Sequence, residues 1–348
     1  MLFIFLIHAF QATFSAQSAV VSGIYIFGTM SGAAIFIFVM GFGTTYSKNA
    51  QPWTLAKDGI RMVVYQYLNN LLYLVSLLIP YPFVMATLSD VGRENLKFSI
   101  EIYFQYVNIF FITGIIYLVL ALLKKLRLPT LGYLVLGIVI SLVAPFLYGK
   151  PVDVPVLGYV ATLLIGEAKY VSFTPLYFLS YALIGVAVGT LYRRIADKRR
   201  FYLRIMPLCL LVVIVWWALV FNKFGTDITA MRSAMGYGYT HPNLWHVVAS
   251  LAHIFLFAAI FYFVQQRGEK RSGTPEPQNV VAKQILYYSK HISKYYALHI
   301  STYFIVLGLH GYMGFTSGQC WLLTLLSMIV TEVLVRGYNA LLSRRKGR

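Results

Sequence analysis

The stretch RRIADKRRFYLRIMPLCLLVVIVWWALVFN, residues 193–222, decides the fold. Its first twelve residues hold six cations and one acid, and its last eighteen hold no charge. An apolar run of that length can satisfy its own backbone in lipid only as a helix, and at ~1.5 Å per residue it crosses most of a ~30 Å hydrocarbon layer. The cations before it mark the side of a membrane that retains Lys and Arg.

The same pattern recurs along the whole chain. Of 348 residues, 59% are hydrophobic and 11% charged, against about 25% charged in a soluble domain. Residues 1–47, 62–89, 102–123, 128–149, 170–192, 233–266 and 295–331 are also free of charge. Glycine and polar breaks divide these runs into ten expected spans: Met1–Phe14, Ile24–Tyr46, Ile60–Phe83, Ile102–Leu123, Leu128–Tyr148, Phe173–Tyr192, Leu203–Phe221, Leu244–Gln266, Tyr295–Tyr312 and Cys320–Leu341. The ~10-residue alternation of a membrane barrel is missing, so the expected class is an all-α polytopic membrane protein.

Charge placement orients it. The chain carries 29 Lys and Arg against 11 Asp and Glu, a net of +18. Alternate loops collect 23 of the 29 cations with four acids, while the other side has six of each and Glu332 stays inside the last span. By the positive-inside rule both termini face the cytoplasm, in the plasma (bacterial inner) membrane. Nucleic acid is excluded as a partner, because the cations are spread over five short loops and no binding motif accompanies them. Cys209 and Cys320 fall near opposite ends of the bundle, too far apart for a disulfide.

Span 1 is short and lacks a preceding cation, which reads as a helix beginning upstream of Met1. A signal peptide competes, with Ala16–Ala19 as its cleavage region, but it lacks the charged leading segment. One transmembrane domain, residues 1–348, is expected, with 267–283 a flexible cytoplasmic loop and the apolar segment 154–166 too short to cross.

Polar side chains within the spans are the candidates for chemistry, since a charge at mid-helix costs about 2.5–3.5 kcal/mol. His246 and His253 are seven apart and His299 and His310 eleven apart, so each pair repeats on one helix face. His8 and His299 fall at similar depths in the cytoplasmic half, and His253 near the middle. A buried imidazole is held neutral and suits a general base, although packing histidines bonded to neighbouring helices have the same signature. Gln66, Asn69, Asn70 and Asn108 offer amides that line a polar cavity or bond one helix to the next. Glu332 and Arg336, four apart, form an ion pair that orients the last helix. Arg61, Arg193 and Arg194 lie where they would meet either the phosphates of a cytosolic donor or anionic lipid. No histidine spacing or nearby carboxylate suggests a metal.

Several segments resemble the acyltransferase type 3 family of ten-span membrane acyltransferases, related to the heparan-α-glucosaminide N-acetyltransferase-like proteins. LFIFLIHAF in span 1 resembles the family's first helix, with His8 at its histidine; the arginine eleven positions earlier would fall before Met1. GAAIFIFVMGF is similar to the Phe-Phe-x-x-Ser-Gly element, matching at Phe36 and Gly41 with Ile37 and Met40 substituted. FTPLYFLSYALIGVAVG, residues 173–189, resembles a Phe-Pro entry followed by a Gly-x-x-x-Gly helix, and SKHISKYYALHI, residues 289–300, the entry to a late span ending at His299.

The resemblance implies transfer of an acyl group, usually acetyl, from cytosolic acyl-CoA as co-substrate to a hydroxyl or amine of a carbohydrate or lipid-linked glycan, with no bound cofactor. It implies His8 as the catalytic base or transient acyl carrier, assisted by His299. His253, Asn69, Asn70, Gln66 and Asn108 are then expected at the substrate, and Arg61, Arg193 and Arg194 at the donor. A transporter or flippase of a glycan or lipid intermediate, and an inactive partner subunit, are the alternatives.

Overall fold

The computed structural model describes residues 8, 19–105, 107–147, 158, 161, 163–165, 174–227, 230–231, 242–272, 280–311 and 315–346. These residues form helices: α1 Ala19–Gly43, α2 Pro52–Leu78, α3 Asp90–Gln105, α4 Ile109–Lys125, α5 Thr130–Leu147, α6 Pro175–Arg194, α7 Lys198–Phe224, α8 Leu244–Ser272, α9 Val280–Lys290, α10 Ile292–Leu309 and α11 Ser317–Lys346. A short helical turn, Tyr81–Val84, and a 3-10 turn, Met85–Thr87, join α2 to α3. Among the described residues there is no strand.

Among the described residues six helical segments are long and apolar enough to cross a membrane: Pro52–Val84, Thr130–Leu147, Pro175–Arg194, Lys198–Phe224, Leu244–Arg267 and Gly318–Ser343. Their apolar surface points outward. On α7, Leu208, Leu211, Ile214, Leu219 and Phe221 are each more than half exposed, while only Tyr202, Cys209 and Val220 are buried. Conversely, amides, hydroxyls and imidazoles lie inside, among them Gln66, Asn69, Asn108, Ser180 and His299. A surface of Leu, Ile, Val and Phe around a core that contains polar groups is stable against lipid, not water. The protein is therefore an all-α, membrane-embedded chain. Of the other expected spans, the first lies outside the described residues except His8, which is helical; the second is α1 and the ninth α10.

Three expected segments show local structure of their own. The span expected over Ile102–Leu123 is interrupted: α3 ends at Gln105 and α4 starts at Ile109, leaving a helix of 17 residues. Asn108 is extended (φ −118°, ψ −166°), and its side-chain oxygen accepts from Phe110 N. The loop expected at 267–283 is helical at both ends, because α8 runs on to Ser272 and α9 begins at Val280; residues 273–279 lie outside the described set. The stripe joining His299 to His310 runs to the end of α10, where His310 is the C-cap, its N–H on the Val306 carbonyl at 2.9 Å, and Gly311 turns with φ +85°. Of segment 154–166, residues 158, 161 and 163–165 are described and helical.

Contacts divide the chain into two compact units. One holds Tyr25–Leu68 and Tyr106–Tyr262, and its centre is α6. Thirteen of the 20 residues of α6 are buried. α5 meets it with the stripe Tyr133, Gly137, Ser141 and Ala144, spaced as one helix face. α1 meets it backbone to backbone: a Cβ on Gly41 would drive into the Ala182 carbonyl, and one on Gly185 into that of Phe38. Small residues that let helix backbones touch are how helices associate where lipid supplies no hydrophobic drive. α2 and α4 repeat the device, since a Cβ on Gly59 would lie 2.8 Å from the Gly114 oxygen.

The other unit holds Met1–Ile24, Asn69–Gln105 and Phe263–Arg348. Tyr73 and Leu77 pack with Leu88, Leu96, Phe304, Leu307, Phe315 and Cys320, while Tyr295 and Tyr303 pack with Leu323 and Val335. Both cysteines are buried, Cys209 in one unit and Cys320 in the other.

Candidate functional site

Residues 8 and 299 are 291 positions apart, yet His8 Nδ1 lies 2.7 Å from His299 Nε2. The two rings are nearly parallel, 9° between planes, with centroids 5.0 Å apart. His299 is fully buried and its Nδ1 lies 2.7 Å from the Tyr295 carbonyl oxygen one turn earlier in α10. That contact fixes the protons. A carbonyl only accepts, so His299 carries its hydrogen on Nδ1 and, as a neutral imidazole, leaves Nε2 an acceptor. His8 Nδ1 must then be the donor, which leaves His8 Nε2 carrying the lone pair. Tyr296 stands edge-on to both rings, with centroids 5.8 Å from His8 and 5.6 Å from His299, and Tyr303 stands edge-on to His299 at 5.6 Å. These rings set the planes of the imidazoles and dry their surroundings.

Tyr295 ties this pair to the end of α11. Its hydroxyl donates to Glu332, which also accepts from Gln284 Nε2 at 2.9 Å and from Arg336. Arg336 donates to Gln284 Oε1 at 2.7 Å and covers the Tyr287 ring at 4.7 Å. Lys294 donates to Asn339, whose amide donates to the Tyr287 hydroxyl. α9, α10 and α11 are thus held in register by a polar lattice, of which sequence spacing shows only the Glu332–Arg336 pair.

The other expected residues divide by environment. Asn69 is 5% exposed and neither of its amide atoms has a hydrogen-bond partner; Asn70 beside it is buried. Gln66 accepts from the backbone N–H of Asn108 and of Phe111, each at 3.2 Å, so Gln66 and Asn108 together close the N-terminus of α4. His253 is satisfied at both nitrogens: Nδ1 faces the Ala249 carbonyl at 2.7 Å, and Nε2 accepts from Trp217 Nε1 at 3.3 Å. Arg61 pairs with Asp58 at 3.0 Å on the surface, and Arg194 is exposed. Arg193 donates to the Thr45 carbonyl and covers the Tyr46 ring at 5.6 Å.

Lys124 is a residue that the sequence reading passed over. Its ammonium donates to the carbonyls of Thr44 and Ala50, at 3.1 and 3.0 Å. With Arg193 it supplies two cations where α1 ends and its carbonyls run out of helical partners. The signal was present in the sequence as cations placed where two neighbouring spans end.

Fold and site define an all-α membrane protein with a hydrogen-bonded histidine pair, His299 buried and His8 half-buried. No family model matches the chain, and no curated protein or solved structure is found similar to it.

Proposed function

We propose that the chain is a ten-span acyltransferase of the plasma membrane, with both termini in the cytoplasm, that moves an acyl group, acetyl above all, from cytosolic acyl-CoA to a hydroxyl or amine of a carbohydrate or lipid-linked glycan. The observation that carries the reading is the hydrogen-bond chain from the Tyr295 carbonyl through His299 to His8, which directs the lone pair of His8 onto Nε2. A neutral imidazole with its far nitrogen held as an N–H donor is the arrangement of a general base.

In the proposed reaction His8 Nε2 takes the proton of the acceptor hydroxyl or amine as that oxygen or nitrogen attacks the thioester carbonyl. The C–S bond breaks, and the thiolate leaves with the proton returned from His8. His299 stabilises the imidazolium formed in between. Arg61, Arg193 and Arg194, all exposed, are the proposed contacts for the donor phosphates, and Arg193 also donates to the Thr45 carbonyl. Asn69, a buried amide with neither atom bonded, is the proposed contact for the substrate.

The test is acyl transfer from labelled acyl-CoA in sealed vesicles containing the protein. His8→Ala is expected to lower the rate about 10²- to 10⁴-fold with insertion unchanged. Transfer at the original rate sinks the assignment, and glycan flux without consumption of acyl-CoA selects the flippase reading instead.

A further inference from the structure

Two histidines of α8 each meet a tryptophan of α7, and the two pairs are finished differently. His253 is closed, as Trp217 donates to its Nε2 and Ala249 takes its Nδ1. His246, seven residues earlier on the same face, meets Trp216 edge-on, with ring centroids 5.4 Å apart and planes at 84°. Here the indole N–H does not reach the imidazole. His246 is 5% exposed, yet its Nε2 has no hydrogen-bond partner, and neither does the buried Nε1 of Trp216. One turn deeper on the same face, Ser250 is buried as well.

A buried polar atom left without a partner costs about 1–3 kcal/mol, so two at one contact are a standing incentive for a third group to fill them. The chemistry of that group follows from the pair. Indole only donates, so the group must accept from it; the imidazole nitrogen donates in one tautomer and accepts in the other, so a group able to do both meets either. A hydroxyl does both without bringing charge into the membrane. His246 is the third residue of α8, which starts at Leu244, and the adjacent Trp245 is 73% exposed. The pair therefore lies at the first turn of α8, near a helix end, the level at which a headgroup or a soluble molecule arrives.

We infer that His246 and Trp216 form a binding site for a neutral, hydroxyl-bearing ligand, supplied by a soluble sugar or by a sugar-headgroup lipid. The inference does not rest on acyl transfer and is tested without it. The full chain is placed in nanodiscs of phosphatidylcholine and titrated with radiolabelled methyl glucoside. In a second arm the nanodiscs contain a monoglucosyl diacylglycerol, and retained lipid is counted by native mass spectrometry. The expected result is saturable binding in at least one arm, weakened about tenfold or more by Trp216→Phe and by His246→Phe, since each removes a hydrogen-bonding nitrogen from the site. Trp217→Phe, which opens the closed pair instead, is expected to leave binding unchanged. Trp216→Phe keeps the edge-on packing, and His246→Asn decides the question if one aromatic variant fails to fold. Absence of saturable binding in both arms, or equal weakening by Trp217→Phe, overturns the inference and leaves the pair with water only.

Discussion

Replacing His299 by Phe keeps an aromatic ring between Tyr296 and Tyr303 but deletes the acceptor that faces His8 Nδ1. In the native protein the Tyr295 carbonyl orients His299, and His299 orients His8. With the acceptor gone, an Nδ1–H on His8 loses its partner at 2.7 Å, a loss of about 1–3 kcal/mol for a buried donor. The tautomer ratio of His8 should then move roughly 5- to 150-fold toward Nε2–H. Nitrogen NMR of the chain in nanodiscs, labelled at histidine, reads this directly, because a protonated and a bare ring nitrogen resonate far apart. The native protein is expected to show Nδ1–H on both His8 and His299, and the variant a His8 signal redistributed toward Nε2–H. A native His8 already protonated at Nε2 would refute the reasoning, whatever the vesicle assay gives.

Three further outcomes follow from the packing. Gly41→Ala should destabilise the protein by about 1–3 kcal/mol, since the new methyl meets backbone of α6 that cannot step aside, whereas Gly43→Ala has open space and should be neutral or slightly stabilising; thermal unfolding of the two variants compares them. Tyr295→Phe removes a hydrogen bond to the Glu332 carboxylate and should cost about 1.5–3 kcal/mol in the same measurement, with the His8 and His299 nitrogen signals broadened as α10 loosens. His291, just before α10, has its pKa held below the ordinary 6.5 by partial desolvation, then by Lys294 and Lys290. Protonation therefore costs more in the folded chain than in the unfolded one, so its contribution is present above pH 6.5 and declines as pH falls below it; His291→Gln should flatten that part of the stability profile.

Much of the fold is legible because lipid imposes it. Runs without charge become helices, and the Gly-x-x-x-Gly at 185 and 189 marks the helix that others pack against closely. The nearness of His8 and His299 is foreshadowed by depth along their spans, but depth gives no azimuth, and the tautomer depends on a carbonyl that no side-chain pattern displays. The break before Asn108 has no mark in the charge pattern because 102–123 is uniformly uncharged; the start of α4 is capped from Gln66, 42 residues upstream, which takes the N–H groups of Asn108 and Phe111. The open and closed histidine pairs look alike in sequence, since the adjacent tryptophans differ only in how far each indole nitrogen reaches.

The span between partners also sets a schedule for the growing chain. At about 5–20 residues per second, Asn108 follows Gln66 by roughly 2–8 s, so the start of α4 is fixed while most of the protein is still unmade. His8 must wait for a partner 291 residues away, roughly 15–60 s later at the same rate. A chain cut short before α10 therefore carries His8 without the residue that orients it.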